Sequence, residues 1–417
     1  MGSPHPRLLV DTSDTVRLSS RARATTGILV LMRIAHLSDV HLGYRAYSRT
    51  NEHGMNQREY DVLLAFRRAL HAIRDAEPDL VLITGDLFHS VRPPNSSLIN
   101  AYNFLSKLQQ ARRGAPLVII AGNHETPRIA GSGCILALLT HLPGVQVVYD
   151  QIQMLEIASL KVSVLCIPAR GVHELERSRL QPNPHTRWNL ILLHGLLEGV
   201  APLALERPID CQKIVRDEWD YIALGDWHLY TQIAPNALYS GATEFTSTNI
   251  WEESGKPKGW ILYDASTRTH EFHPVHTRAV FDLLPIDAAE LSAAELNATI
   301  EARADALGES LSGAIVRQRV WNLHPDLRRQ IDGELLRELK ARALHYFLDL
   351  RTLRPSGHAR PHASDAAGES RLTLVDEWQL FAQSYELPAD IDRAAFIELG
   401  TRYLQAVDSS DRSSMAQ

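Results

Sequence analysis

The sequence predicts an α/β (α+β) fold in which two packed β-sheets are flanked by helices, followed by a small α/β cap domain and C-terminal helices. Strand-like apolar runs alternate with helix-period segments through about the first 150 residues. Two such helical segments lie at residues 62–73 and 98–108, and shorter β-like runs follow at 145–149 and 162–167. This mixture of elements favours two sheets with helices packed on them.

Five short polar clusters each follow an apolar run that is typical of a β-strand. In chain order they are Asp39-Val40-His41, Gly85-Asp86-Leu87-Phe88-His89, Gly122-Asn123-His124-Glu125, His194-Gly195 and Gly225-Asp226-Trp227-His228. Ligands in α/β sheets bind beyond the carboxyl ends of the strands, so the five clusters can converge on one site. Their Asp, Asn and His side chains are the ligands of paired divalent ions, with no soft sulfur among them.

The spacing inside the clusters suits this chemistry. Asp39 and His41 are separated by a single residue, so both can reach an ion beyond the strand end. Asp86 could bridge two ions at roughly 3.5–4 Å, and such a pair lowers the pKa of bound water and neutralises charge on phosphate oxygens. An imidazole without a metal to bind can then protonate or stabilise the leaving oxygen.

The alternative is that these residues serve structure alone. A single Asp or Gly-Asp at a strand end usually forms a turn or caps a helix. Isolated histidines are more often packed or solvated, so His36, His71 and His141 are given no role. Five clusters in this order, each behind a strand, favour a catalytic site over the structural interpretation.

The order of the clusters, D-x-H, G-D, G-N-H, H and G-x-x-H, resembles that of the calcineurin-like metallophosphoesterases. The motifs that are similar to the SbcD-type DNA-repair exonucleases of this superfamily are residues 38–43, 85–89 and 122–125. Those exonucleases are bacterial relatives of the nuclease subunit of the eukaryotic double-strand-break repair complex. Residues 239–244 and 258–260 resemble the segment that closes their phosphatase domain. The resemblance covers residues 32–264, and beyond them it extends only to architecture.

The resemblance implies a role for each polar side chain. Carried over by position, it assigns one metal to Asp39, His41, Asp86 and His228, and a second metal, bridged by Asp86, to Asn123, His194 and Asp226. It makes His124 the imidazole that acts in the transition state, and His89 a residue that positions the substrate or His124. The implied cofactors are two divalent ions, Mn²⁺ or alternatively Mg²⁺.

The last motif departs from the family pattern. The family normally has Gly-His-x-His where this chain has Gly-Asp-Trp-His at residues 225–228. Asp226 offers an anionic oxygen in place of a neutral nitrogen, which should favour manganese or magnesium over softer ions at the second site.

Composition and charge indicate a soluble enzyme with local DNA contacts. The 417 residues suffice for two or three domains, and three scattered cysteines without a CxxC pair indicate a reducing, cytoplasmic location. The apolar run at 28–32 is too short to span a bilayer, so no membrane association is expected. Because the net charge is −6, DNA binding must come from basic patches. The candidate substrate contacts are Arg45, Arg49, Arg92 and Arg128, with a second basic patch in 317–354.

Five regions are expected along the chain. They are a disordered extension (1–31), a metallophosphoesterase domain (32–265), a cap domain (266–353), a flexible linker (354–371) and a C-terminal helical segment (372–410). Within the cap, the pattern predicts a helix near 291–307, a strand at 315–321 and a long helix over 327–350.

The C-terminal segment is predicted to be a helix pair rich in aromatic residues. Thr373 and Asp376 resemble a capping box, and Trp378, Phe381 and Tyr385 follow at helical spacing. Such helices either pack on their own domain or dock onto a partner. In SbcD-like proteins this region binds the coiled coil of an SMC-like ABC ATPase of the SbcC type, and the nuclease works as a dimer. The resemblance therefore implies that partner and a homodimer.

Three functions agree with these observations. The first is a hydrolase of the Mn²⁺-dependent exonuclease or endonuclease type, which cleaves DNA phosphodiesters with two-metal-activated water in double-strand-break repair. The second is a metallophosphoesterase of a small substrate, such as a cyclic nucleotide or phosphomonoester. The third is a mainly architectural subunit of an SMC-like ATPase complex. The cap and C-terminal helices favour the first over the second, and the nearly complete ligand set argues against the third.

Overall fold

The computed structural model describes residues 31–127, 133–175, 180–200, 208–352, 374–385, 387 and 391–414. The chain divides into two compact units, residues 1–353 and 354–417. The expected linker at 354–371, Thr373 of the expected capping box, and the expected extension except Leu31 lie outside the described residues. Among the described helices, none combines the length and the apolar character that a bilayer crossing requires.

The described part of the first unit contains two six-stranded sheets. In chain order their strands are β1 (Arg33–Leu37), β2 (Leu80–Thr84), β3 (Leu117–Ile120), β4 (Val145–Val148), β5 (Gln153–Ile157), β6 (Val162–Ile167), β7 (Trp188–His194), β8 (Tyr221–Gly225), β9 (Thr231–Ala234), β10 (Ala237–Tyr239), β11 (Gly259–Asp264) and β12 (Thr269–Pro274). The sheet orders are β12-β11-β1-β2-β3-β4 and β5-β6-β7-β8-β10-β9. Strands β1 to β4 are parallel, as are β6 to β8, so their carboxyl ends lie at a common edge of each sheet.

The two faces of each central strand enter different cores, because side chains alternate along a strand. Ile34 and Leu82 pack with Leu192 of the second sheet between the two sheets. Leu37 and Ile83 face outward onto the helices. Both faces are therefore buried, which is the reason these strands read as continuous apolar runs.

Helices cover the outer face of the first sheet. They are α1 (Gln57–Ala76) and α2 (Asn95–Ala111). A further helix, α3 (Cys211–Ile214), is a single turn near the second sheet. Short 3-10 helices lie at Ile135–His141, Ala158–Leu160, Ala169–Glu174 and Gly308–Leu311. Asn56 caps α1 by accepting hydrogen bonds from two backbone amides of its first turn. Helix α2 begins directly after Pro94, and no side chain caps its first turn.

The cap region contains a separate three-stranded parallel sheet. Its elements are β13 (Val280–Asp287), α4 (Ala293–Asp305), β14 (Ile315–Leu323), α5 (Pro325–Arg328), α6 (Gly333–Arg342) and β15 (His345–Thr352), with strand order β13-β14-β15. The helix predicted near residues 291–307 is confirmed as α4, and the strand predicted at 315–321 is confirmed as β14. Because β12 belongs to the first sheet, that sheet continues past the boundary expected at residue 265.

The prediction of one long helix over residues 327–350 is wrong, because this range contains the end of α5, all of α6 and most of β15. Asp332 accepts hydrogen bonds from Glu334 N and Leu335 N and so starts a new helix, α6. The chain then forms β15, in which Tyr346 is buried and Phe347 is exposed. Buried and exposed side chains thus alternate, as they do in a strand, and the segment pairs in parallel with β14. This pairing decides the structure here, although the spacing of the leucines suits a helix.

The second unit contains the expected helix pair, α7 (Leu374–Ser384) and α8 (Arg393–Ser414). Trp378 Nε1 donates a hydrogen bond to Ile397 O at 3.1 Å, and its ring lies 5.2 Å from that of Phe396. Arg393 Nη1 donates to the carbonyls of Ala382 and Tyr385, each at 2.8 Å. The two helices are therefore joined by specific contacts as well as by apolar packing.

Candidate metal centre

The five sequence clusters lie at the carboxyl ends of β1, β2, β3, β7 and β8 and meet at one place. Three groups have ligand atoms within 4.8 Å of one another: Asp39, His41 and His228; Asp39, Asp86 and His194; and His41, His89 and His124. Asp226 Oδ1 lies 3.6 Å from His194 Nε2. Asn123 is exposed and lines one cavity together with His194 and Asp226. All seven predicted ligands are thus brought to one site.

Four of these ligands have left-handed backbone conformations. The φ angles are 51° at Asp39, 55° at His41, 50° at Asp86 and 88° at Asp226. Such angles are uncommon outside glycine and cost on the order of 1–3 kcal/mol each. The loops are held in this shape by hydrogen bonds, including His41 N to Asp86 O at 2.8 Å. Strain at four predicted ligands favours a functional origin for these turns.

Three motif glycines allow close approach of the ligands. A Cβ atom on Gly85 would lie 2.1 Å from His194 Nδ1, and one on Gly122 would lie 2.0 Å from Asp86 Oδ1. At Gly225 it would lie 2.0 Å from Thr84 O. A side chain at Gly85 or Gly122 would overlap a predicted ligand, and one at Gly225 would overlap the Thr84 carbonyl that holds His194.

Glu125 joins the loop after β2 to the loop after β3. Its buried carboxylate accepts hydrogen bonds from Phe88 N at 2.6 Å, Gly122 N at 2.9 Å and Asp86 N at 3.1 Å. Burial raises its pKa to about 7, although these backbone donors oppose the shift. Sequence reasoning assigned Glu125 no role, and its place directly after the Gly-Asn-His motif was the only available signal.

The orientation of His194 leaves one nitrogen for a ligand. Its Nδ1 lies 2.8 Å from Thr84 O and must donate there, so Nε2 is the nitrogen that could bind a metal in exchange for a proton. That Nε2 is buried and has no hydrogen-bond partner among the described residues. It lies 3.6 Å from Asp86 Oδ2 as well as from Asp226. An imidazole fixed by a backbone carbonyl, with its other nitrogen among carboxylates, is the usual arrangement of a metal ligand.

His41 and His228 face each other across the site. Their Nε2 atoms are 3.1 Å apart, and His41 Nε2 is 3.6 Å from Asp86 Oδ2. Burial lowers the pKa of both rings well below the usual value; the ring of His228 lowers that of His41 further, and Lys258 lowers that of His228. Both imidazoles are therefore neutral at physiological pH, and the neutral form is the one that binds metal.

The protein supplies too little positive charge around Asp39 and Asp86 to offset the cost of burying their carboxylates. Burial raises the pKa of Asp39 to about 6 and that of Asp86 well above its usual range. Burial disfavours the charged form of His194, yet Asp86, Asp226 and Asp39 outweigh it and raise its pKa to about 9. A divalent cation would remove this imbalance, since it would stabilise the carboxylates in their charged form. The donor set therefore fits a metal centre.

A sequence model of the calcineurin-like phosphoesterase family matches residues 32–230. Residues 32–230 form a calcineurin-like phosphoesterase domain. The predicted resemblance to this superfamily is therefore confirmed, as is its fold of two sheets flanked by helices.

Three archaeal proteins are similar in sequence to this chain, and each bears the name DNA double-strand break repair protein Mre11. The protein of Methanocaldococcus jannaschii is 29% identical over 245 residues, which cover 56% of this chain and 63% of the relative. That of Methanococcus maripaludis is 34% identical over 249 residues, with the same coverage. That of Methanopyrus kandleri is 27% identical over 267 residues, covering 56% of this chain and 54% of the relative. The chain therefore spans between 54% and 63% of the length of these relatives.

Two further histidines of the phosphoesterase domain lie beside the ligands. His124 Nδ1 lies 2.7 Å from His89 O and donates to it, and His124 N donates to Asp86 Oδ1 at 3.1 Å. The His89 and His124 rings stack at 5.1 Å, and burial together with the charge of His124 lowers the pKa of His89 to about 4. Because Nδ1 of His124 is engaged, its Nε2 is the nitrogen left for a substrate.

The predicted arginine contacts differ in their surroundings. Arg45 Nε donates to Glu59 Oε2 at 2.6 Å. Arg49 donates to the carbonyls of Lys340 and Ala341 at the end of α6, so it joins the phosphoesterase domain to the cap. Arg92 is exposed and lines a cavity with His89, Asn123 and His124. Arg128 lies outside the described residues.

Proposed function

We propose that this protein is a DNA nuclease that hydrolyses phosphodiester bonds with two divalent ions, most favourably Mn²⁺, in double-strand-break repair. The observation that carries the proposal is the convergence of Asp, Asn and His side chains around the unpartnered Nε2 of His194. The names of the archaeal relatives support DNA as the substrate.

The proposal divides the ligands between two ions. Asp39, His41 and His228 would hold one ion, Asn123, His194 and Asp226 would hold the other, and Asp86 would contact both. Two such ions lower the pKa of bound water to near neutrality and neutralise charge on the phosphate oxygens. Carboxylate and imidazole donors suit manganese, and the extra carboxylate of Asp226 strengthens that preference.

His124 would act on the substrate and not on the ions. Its Nδ1–H is held by His89 O, so its Nε2 keeps a fixed direction. A proton on Nε2 can stabilise the developing charge or protonate the leaving oxygen. His89 would then serve as a positioning residue for His124, through its carbonyl and through the stacked rings.

Of the four predicted arginine contacts, Arg92 is the best placed for a phosphate of the DNA strand. It is exposed on the cavity that also contains His124, and it would contribute a local positive charge to an acidic protein. Arg45 and Arg49 already have partners within the protein, so their contribution to DNA binding would be smaller.

The assay that tests the proposal supplies end-labelled DNA and a cyclic nucleotide to the purified protein, each with Mn²⁺ and each with EDTA. We expect manganese-dependent shortening of the DNA and little hydrolysis of the cyclic nucleotide. Hydrolysis of the cyclic nucleotide alone would favour the small-substrate phosphoesterase. Binding of DNA without cleavage would favour the architectural subunit.

The C-terminal helix pair would dock onto an SMC-like ABC ATPase, with the nuclease acting as a homodimer. Leu399 and Tyr403 of α8 are 51% and 68% exposed, and Ile391 before it is 45% exposed. Apolar side chains at helical spacing suit a partner helix. Deletion of residues 372–417 should leave manganese-dependent cleavage of short DNA intact and abolish co-purification with the ATPase. Capture of the ATPase by the truncated protein would contradict this role.

A further inference from the structure

The side chain of His228 has one nitrogen that the proposed metal site does not use. Its Nε2 points toward His41, so its Nδ1 must carry the proton if Nε2 is to bind a metal. Nδ1 is buried, and no hydrogen-bond partner for it exists within the described part of the chain. A buried N–H without an acceptor costs about 1–3 kcal/mol, so a partner is expected nearby.

A buried carboxylate lies close to this nitrogen. Glu253 Oε1 is 3.9 Å from His228 Nδ1, beyond hydrogen-bonding distance but facing it. The Glu253 side chain is almost inaccessible to solvent, with a residue exposure of 6%. Its other oxygen accepts a hydrogen bond from Lys258 Nζ at 2.7 Å. The buried donor on His228 and the remaining acceptor on Glu253 are therefore complementary.

Lys258 fixes both members of this pair. Its Nζ also donates to the backbone carbonyl of His228 at 2.7 Å. Lys258 is 2% exposed, and the ring of Phe245 lies 5.0 Å from its Nζ. A buried Lys–Glu pair is not by itself a source of stability, because desolvation offsets the attraction between the charges. Its place behind a proposed metal ligand suggests that it serves the site.

We infer that Glu253 is a positioning residue that accepts the Nδ1–H of His228 and so keeps the Nε2 lone pair directed at the metal. Lys258 holds Glu253 in place and anchors the backbone of His228. A carboxylate behind a ligating imidazole fixes the ring orientation and increases its basicity. This inference rests on the proposed function, because it requires His228 to be a metal ligand.

The cap holds the segment that carries Glu253. Ser254 Oγ donates to Val280 O at 2.9 Å and accepts from Asp282 N at 3.3 Å, both on β13. The guanidinium of Arg317 on β14 lies 5.0 Å from the ring centre of Trp251. The first strands of the cap therefore support the residue that orients His228.

The test compares Mn²⁺ binding by the full-length protein and its variants with calorimetry, in the absence of DNA. Glu253→Gln keeps the size of the side chain and removes its charge. We expect it to weaken one of two manganese-binding events about 10–100-fold, the usual effect of losing an outer-shell carboxylate. The matched control is Asp220→Asn, a carboxylate-to-amide change directly before β8, at the other end of the strand from the site; it should bind as the wild type does.

A second variant separates positioning from charge balance. Glu253→Gln leaves Lys258 buried without a counter-ion, whereas Glu253→Gln with Lys258→Met removes both charges. The double variant should recover thermal stability in EDTA but should still bind the affected manganese weakly. Recovery of wild-type manganese affinity would mean that Glu253 only balances Lys258, and the inference would be wrong.

Two other outcomes also decide the matter. Unchanged manganese affinity in Glu253→Gln would overturn the inference outright. At saturating Co²⁺, the visible spectrum of the variant should match that of the wild type, since the ligands themselves are retained; an altered spectrum would make Glu253 a ligand and not a positioning residue. Wild-type protein that binds two manganese ions but cleaves no DNA would contradict the proposed nuclease alone.

Discussion

Two polar clusters in the first unit bury carboxylates but differ in the positive charges that surround them. One is the metal centre, and the other is an ion-pair network that joins α1 to the cap. In the network, Arg58 donates to Asp61, to Glu244 and to the carbonyl of Phe245. Arg278 from the cap side donates to both oxygens of Asp61, and its backbone N donates to Glu244. Two arginines thus neutralise two carboxylates.

The pKa shifts reflect this difference. Burial opposes ionisation of Asp61, but hydrogen bonds from Arg278 and the charge of Arg58 outweigh it and lower its pKa. In the metal centre, burial dominates and raises the pKa of Asp39 and of Asp86. The network supplies its own counter-charges, whereas in the candidate metal centre burial of Asp39 and Asp86 outweighs the attraction of His194. Burial of acidic groups therefore does not identify a functional site unless the partners of those groups are also counted.

The largest expected effect is the loss of activity on removing the shared carboxylate. Asp86→Asn takes one charge from both proposed ions, so manganese-dependent DNA hydrolysis should fall by about 10³-fold or more. His228→Ala should behave similarly. Circular dichroism should show an intact fold, and Asp220→Asn should keep wild-type activity. Most of the activity surviving in Asp86→Asn would remove the two-metal interpretation.

Replacing the imidazole that we propose to be catalytic should separate chemistry from metal binding. His124→Ala should reduce the rate of hydrolysis by roughly 10²–10⁴-fold, the usual contribution of a general acid or base. Calorimetry should still show two bound manganese ions, because the ring is not assigned to either. Loss of a whole manganese equivalent would show that His124 is itself a ligand.

Breaking the ion-pair network should affect stability and leave the metal centre unchanged. Arg58→Met leaves Asp61 and Glu244 buried with one cation fewer, so the free energy of unfolding should fall by about 3–5 kcal/mol. Denaturant titration measures this change. The rise in melting temperature on adding Mn²⁺ should remain, and its disappearance in Arg58→Met would show that the two clusters are coupled.

The smallest expected effect concerns the departure at residue 226. Asp226→His restores the residue that the family carries and replaces an anionic oxygen with a neutral nitrogen. The activity with Co²⁺ relative to Mn²⁺ should rise several-fold. Asp226→Asn, which keeps an oxygen donor, serves as the control and should retain the preference for manganese. If the metal profile of Asp226→His matched that of the wild type, residue 226 would not contact the second ion.

The sequence by itself determined the central strands, the flanking helices and the clusters at the strand ends. Each follows from a local rule: apolar runs form buried strands, the spacing of Val62, Phe66 and Leu70 forms a helix face, and polar residues after a strand lie at its carboxyl end. These rules require only neighbouring residues. They therefore locate the proposed ligands without any knowledge of how distant segments meet.

The tertiary structure alone decided how those segments support one another. Residues 345–352 form a strand because β14 offers a pairing edge, although the spacing of nearby leucines suits a helix. Arg49 binds carbonyls about 290 residues away, and Glu125 joins its own loop to the loop of Asp86 and Phe88, nearly 40 residues earlier in the chain. Contacts of this kind depend on long-range distances and on the competition between burial and hydrogen bonding. A local pattern encodes neither, so the supporting residues of the site emerge only once the chain is folded.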